Sequence, residues 1–169
     1  MGVYSLDKLI EETRRLATEY RKTTGKTLGG VSAEIAQHDA ARLLDLEVCP
    51  EPHPGGYDAI GRGRRAGRRI QIKGRAIFDG SGSGARIGQL KLDQEWDSVV
   101  LVLMDETFSP IEIYEADREE IEAAMQEAGA SRRTRRGAMS VGRFRHVGHL
   151  VWNAAEGLVE DEIWEHPGQ

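Results

Sequence analysis

A seven-residue run, SVVLVLM at Ser98–Met104, constrains the fold of this chain more than any other part of its sequence. Every position after the serine is apolar, so both faces of a strand with this sequence need to be covered. Such a run is typical of a central strand in a sheet that has layers packed on both sides. We therefore expect the chain to be built around this strand.

Other segments predict the elements around it. Apolar spacing behind a capping serine predicts helices from Ser5 to about Lys22 and from about Ser32 to Leu44. A third helix is predicted at Asp117–Ala128, with Asp117 as its cap. Further strands are predicted at Glu47–Pro54, Tyr57–Arg62, Arg68–Lys73, Pro110–Tyr114 and Gly142–Asn153. The fold class expected is α/β, a mixed central sheet flanked by helices, with one helix N-terminal to it.

Length and composition indicate one soluble domain covering residues 1–169. The chain is 39% hydrophobic, which is enough for a sizeable core, and it contains no apolar run long enough to span a membrane. The charged, amphipathic first residues do not resemble a signal peptide, so we expect a cytoplasmic protein without membrane contact. The single cysteine, Cys49, excludes an internal disulfide and a cysteine-based zinc site.

Basic residues are concentrated in two blocks although the net charge is −5. Seven of the 23 Lys and Arg residues fall within Arg62–Arg75, and six more fall within Arg132–Arg145. A phosphate backbone responds to the local field rather than to the net charge, so the blocks favour a nucleic-acid partner. The alternative is that both blocks are solvated loops.

Four side chains form the candidate chemical site. Asp58 begins one predicted strand and Gln71 lies on the next, so the two can meet at one point. Alternation places Lys73 on the same face as Gln71, and Glu34 lies in the preceding helix. Carboxylate and amide oxygens suit Mg²⁺, and a lysine beside them could orient a metal-bound water.

These residues resemble the motif of the PD-(D/E)XK nuclease superfamily, whose fold is called restriction-endonuclease-like. The resemblance rests on GGYDAIG, on QIKGR and on an upstream helix that carries Glu34; the Gln-x-Lys variant is similar to that of Mrr-type enzymes. Tyr57 stands where the family name has proline, and Gln71 where it has an acid. The resemblance implies a nuclease core over residues 31–128. The sequence itself predicts a basic loop, a final strand and an acidic extension over residues 129–169.

The resemblance also implies an activity. It implies DNA cleavage that depends on Mg²⁺ or Mn²⁺, with Asp58 and Gln71 at the metal, Lys73 at the water and Glu34 assisting. A homodimer is implied as well. The arginines expected to contact phosphates are Arg62, Arg64, Arg65, Arg68, Arg75, Arg86 and Arg143. Two alternatives stay open: a non-catalytic nucleic-acid-binding module of the same fold, and an interaction subunit of a DNA-processing complex.

Overall fold

The structure is a computed structural model that describes residues 5–50, 55–77, 85–127 and 138–159. Four α-helices lie in the described part: α1 (Leu6–Thr24), α2 (Val31–Leu44), α3 (Arg118–Glu127) and α4 (Val141–Val147). The strands are β1 (Leu46–Val48), β2 (Ala59–Gly61), β3 (Arg69–Ala76), β4 (Arg86–Gln89), β5 (Ser98–Met104), β6 (Pro110–Asp117), β7 (Ala138–Ser140), β8 (His149–Asn153) and β9 (Gly157–Leu158).

Seven of these strands form one mixed sheet in the order β1-β2-β3-β5-β6-β8-β9. Strands β3 and β5 are parallel, with Lys73 opposite Leu101, and the other neighbouring pairs are antiparallel. Strands β4 and β7 form a separate two-stranded sheet. All seven residues of β5 are buried, which confirms the central strand predicted from SVVLVLM.

A hydrophobic layer covers each face of the sheet, so the α/β class is confirmed. On one face, Ile70, Ile72, Val100 and Val102 pack with residues of α1 and α2. On the other face, Val99, Leu101 and Leu103 pack with residues of α3, α4, β4 and β7. The alternating residues of β5 thus enter two different cores, because successive side chains of a strand point to opposite faces.

Helix α2 approaches β3 closely at Gly74. A Cβ atom at this position would lie 2.4 Å from the Cβ of Ala36 and 2.9 Å from the carbonyl oxygen of Ser32. Glycine is therefore required here to let the helix and the strand approach. The contact fixes which face of β3 is covered by α2.

The prediction of one strand over Gly142–Asn153 is wrong in its first half, which is helix α4. The Ser140 side chain accepts a hydrogen bond from the Arg143 backbone N–H at 3.1 Å, and Val141 and Phe144 are buried. This serine cap starts a helix in a segment whose valines and phenylalanine also suit a strand. The second half, β8, joins the main sheet, so the sheet continues beyond residue 128.

Some expectations lie partly or wholly outside the described residues. They are the end of the Glu47–Pro54 strand, the arginines at 132–136 and the acidic extension from 160 onward. Among the helices that the structure describes, none has the length and apolarity needed to cross a bilayer.

Candidate active site

Asp58 is held across the β2–β3 pair. Its backbone N–H donates to the Ile70 carbonyl at 2.8 Å, and its Oδ2 accepts from the Ile72 N–H at 2.7 Å. Ala59 lies opposite Ile70 in the register, and both are buried in the core beneath α2. The Asp58 carboxylate acts electrostatically on Lys73, which lies on the same face of β3 as Gln71, so Asp58 is close to that face.

Gln71 is 1% exposed, and its amide group has one fixed orientation. Its Nε2 donates to the carbonyl oxygens of Gly56 at 2.9 Å and of Leu90 at 3.0 Å. Rotating the amide by half a turn would direct its oxygen at two other oxygens, so the nitrogen must stay where it is. Its Oε1 is buried and has no hydrogen-bond partner in the described part of the structure. Buried acceptors are rarely left unsatisfied, so this oxygen is suited to an additional ligand.

These two carbonyl groups explain why an amide rather than a carboxylate stands at position 71. An ionised glutamate offers acceptors only, and here one of its oxygens would face the Gly56 and Leu90 carbonyls. The buried charge would then be repelled instead of hydrogen-bonded. A neutral side chain is therefore required at position 71, because the segments that carry Gly56 and Leu90 direct their carbonyl oxygens at it.

Lys73 lies two residues beyond Gln71 on the same strand and shares its face. Burial lowers the pKa of Lys73 below its ordinary value, while the Asp58 carboxylate acts in the opposite direction and raises it. The neighbouring cations Lys91 and Arg75 lower the pKa further. Lys73 is thus closer to proton exchange near neutral pH than a surface lysine is.

Lys91 is a candidate site residue that the sequence reasoning missed. It lies just after β4 with a backbone φ of 50°, and its carbonyl accepts hydrogen bonds from the Trp96 indole at 2.9 Å and the Gln94 N–H at 3.0 Å. The preceding Leu90 carbonyl binds the Gln71 amide. An isolated lysine 18 positions after Lys73 gives no signal in the sequence, because only the tertiary fold brings it to the site.

Glu34, the upstream acid of the predicted site, lies on a helix that packs on the opposite face of β3 from Gln71 and Lys73. Glu34 is exposed on α2, and α2 covers the face of β3 that carries Ile70 and Ile72. The charged groups that act on Lys73 are Asp58, Lys91 and Arg75, and Glu34 is not among them. The assisting role of Glu34 stays a prediction.

Arg65 is not placed to contact a phosphate, which corrects the expectation from the sequence. Its side chain is buried, and its Nε donates to Oε1 of Glu115 at 2.9 Å. Glu115 is fully buried on β6, and its other oxygen accepts from the Ser98 hydroxyl at 2.8 Å. Arg65 is needed to neutralise this carboxylate, so its charge is directed inward.

The β2–β3 turn also lies away from Asp58. Asp58 precedes β2, while the turn follows Gly61, which places the turn roughly 10 Å along the strand. Arg68 forms an ion pair with Asp117. Arg62 and Arg64 are exposed, and Arg62 lies 3.7 Å from Glu47. Both side chains therefore lie at the surface, on the turn rather than beside Asp58.

On the other side of Lys73, the predicted arginines are arranged differently. The Arg75 guanidinium donates to the Arg86 carbonyl and, at 2.6 Å, to the Gly74 carbonyl, so it links β3 to β4. Burial lowers the pKa of Arg75. Arg86 is exposed, and Arg143 forms an ion pair with Glu127 at 3.0 Å. Arg86 is thus the exposed arginine of this set on the Lys73 side.

The oxygen atoms at this site are of the kind that binds a small divalent cation, although only one of the two groups is negatively charged. Asp58 supplies one carboxylate and Gln71 one amide oxygen, and both are hard ligands of the kind that Mg²⁺ and Mn²⁺ accept. Within residues 5–50, 55–77, 85–127 and 138–159, no group of three or more His, Cys, Asp or Glu residues could hold a metal ion. A cation here would therefore keep several waters.

No family model matches the chain, and no curated protein sequence matches it. The case for a function depends on the residues described above.

Proposed function

We propose that the protein is a metal-dependent endonuclease that hydrolyses DNA phosphodiester bonds at the Asp58–Gln71–Lys73 face of the sheet. The observation that carries this proposal is the buried Gln71 oxygen, which is fixed in place without a hydrogen-bond partner in the described structure. It lies on the face that Asp58 and Lys73 share. A cation bound to that oxygen would satisfy the unpaired acceptor and would also be coordinated by the nearby Asp58 carboxylate.

Each residue has a definite task in this proposal. Asp58 and Gln71 would hold Mg²⁺ or Mn²⁺, which when bound supplies an electrophile for the phosphate oxygens and an acidified water. The Ile72 N–H keeps the Asp58 carboxylate oriented, at 2.7 Å. Lys73, whose pKa is lowered by burial, hydrogen-bonds the attacking water and exchanges a proton with it. Lys91 and Arg86 attract the phosphate backbone through charge alone.

The test is cleavage of supercoiled plasmid with Mg²⁺ or Mn²⁺, using the wild type, Lys73→Met and Asp58→Asn. Lys26→Met is a matched control, since Lys26 is an exposed lysine beyond the end of α1. We expect nicked or linear product from the wild type and the control, none with EDTA, and at least a hundredfold loss in both site variants. Full activity in either site variant would contradict the proposal.

A second function is favoured by the charges around the site. The charged groups that act on Lys73 are one carboxylate, Asp58, and two further cations, Lys91 and Arg75, and this excess of positive charge suits an anion even without a metal. The chain would then be a non-catalytic nucleic-acid-binding module. This reading predicts salt-sensitive retention of DNA in a gel shift with EDTA present and no product under any condition.

A further inference from the structure

Helix α1 presents an apolar stripe to solvent. Leu6, Leu9, Leu16 and Tyr20 are 63, 47, 63 and 39% exposed. With Thr13 between them, these residues are spaced by three and four positions in alternation, which places them along one side of the helix. Of the six large hydrophobic residues that are exposed in the described structure, four lie on this helix. We call Leu6, Leu9, Thr13, Leu16 and Tyr20 the α1 stripe.

A different side of the helix attaches it to the domain. Ala17 is fully buried in the core beneath α2, and Ile10 packs against that core. Arg14 is buried and binds both carboxylate oxygens of Asp39, and it also donates to the Phe108 carbonyl. This anchor fixes the rotation of α1 about its own axis. The α1 stripe is therefore held outward by the same contacts that secure the helix.

Charge is distributed unevenly along α1. The half from Leu6 to Thr13 carries three acids, Asp7, Glu11 and Glu12, against one lysine, Lys8. Beyond the buried Arg14, the second half carries three cations, Arg15, Arg21 and Lys22, against one glutamate, Glu19. Arg15 pairs with Glu12 and Lys22 with Glu19 within the helix, yet the two halves keep net charges of opposite sign. Two such helices therefore attract each other when they run antiparallel, because each acidic half then meets a basic half. In a parallel pair, like charges would face each other.

We propose that the α1 stripe is the interface with a second copy of this chain, and that the two α1 helices pack antiparallel. The stripe suits a two-fold axis near its middle residue, Thr13, because apolar residues extend to both sides of it. Such an axis places the Leu6 and Leu9 half of one helix on the Leu16 and Tyr20 half of the other. The contact buries the exposed apolar surface and pairs the charged halves. This inference does not depend on the nuclease proposal.

The test is the mass in solution, measured by sedimentation equilibrium over about a hundredfold range of concentration. We expect the wild type, whose chain mass is 18.7 kDa, to approach twice that mass. The double variant L9E/L16E should stay monomeric with an unchanged circular dichroism spectrum. Leu158→Glu is the control, because Leu158 is 60% exposed on β9 and lies outside the stripe. This variant should associate like the wild type.

Orientation is tested with salt and with charge reversal. Raising the ionic strength should weaken an antiparallel dimer, since it screens the attraction between the halves. R15E/K22E and Glu12→Lys should each dimerise less than the wild type with an unchanged circular dichroism spectrum, and mixing the two should restore a mixed dimer. A wild type that stays monomeric at every concentration, a dimer unaffected by L9E/L16E, or a dimer strengthened by salt would overturn the proposal.

Discussion

Replacing Arg65 with alanine should cost the fold far more stability than replacing its neighbour Arg64. The Arg65 guanidinium donates to Glu115 at 2.9 Å, and the Glu115 carboxylate is fully buried. Once the guanidinium is removed, the Ser98 hydroxyl, at 2.8 Å, is the described side chain that still donates to this carboxylate. A buried charge that loses its ionic partner costs about 3–5 kcal/mol. A domain of this kind unfolds with only about 5–15 kcal/mol, so the loss is a large fraction of the total.

The assay is equilibrium unfolding in urea at pH 7, with wild type, Arg65→Ala and Arg64→Ala compared. Arg64 is exposed, so its replacement should change the free energy of unfolding by less than about 0.5 kcal/mol. The double variant R65M/E115L removes both charges and keeps apolar volume, so it should recover most of the loss. A loss below about 1 kcal/mol in Arg65→Ala would refute the reasoning, and would return Arg65 to the candidate phosphate contacts.

Three further predictions follow from single contacts. Gly74→Val places a Cβ 2.4 Å from the Cβ of Ala36, so the melting temperature should fall by an amount equivalent to about 1–3 kcal/mol or more; an unchanged melting temperature would contradict this packing. The Arg69 guanidinium and N–H lower the pKa of Asp97, so this carboxylate contributes stability above its unfolded pKa and loses it as the pH falls through its folded pKa. Asp97→Asn should therefore be less stable than the wild type at pH 7, and the difference should shrink as urea unfolding is repeated below about pH 4; a difference independent of pH would contradict it. Burial lowers the pKa of Lys73, so the folded state disfavours its charge, and the unfolded chain binds more protons between the folded pKa and 10.5. Lys73→Met should consequently raise the free energy of unfolding at pH 7, and this increase should shrink as the pH rises through that window. An increase that grows with pH would contradict a lowered pKa for Lys73.

Local patterns in the sequence were enough to predict the β2–β3 hairpin and the central strand β5, although not the pairing of β3 with β5. The strand period of two puts Ile70 and Ile72 in one core and leaves Gln71 and Lys73 on the other face, and this alternation depends only on neighbours in sequence. The continuous apolar run of β5 predicted a strand covered on both faces for the same reason.

Features set by distant parts of the chain could not be predicted in this way. Arg65 belongs to a basic run that looks uniformly exposed, yet its partner Glu115 lies 50 positions later. The Gln71 amide depends on the carbonyls of Gly56 and Leu90, which no side-chain pattern reveals. Lys91 reaches the site only through the connection between β3 and β5.

Glu34 shows the limit of carrying a motif from sequence to space. Its distance from Asp58 in the sequence and its position on a helix suit an upstream acid of the resembled motif. The side of α2 that packs on β3 is chosen by Ile35, Ala36 and Ala40, which are buried, and this choice leaves Glu34 exposed. Hydrophobic packing therefore determines which side of α2 carries the acid, which the order of elements alone does not define.

The most direct test of the central claim is Mn²⁺ binding, followed by the loss of the free-ion signal in electron paramagnetic resonance. The claim predicts one bound ion per chain in the wild type, at least tenfold weaker binding in Asp58→Asn, and unchanged binding in Glu106→Gln, an exposed carboxylate on the β5–β6 turn. Binding that survives in Asp58→Asn, or no binding by the wild type at millimolar Mn²⁺, would contradict a metal centre at Asp58 and Gln71.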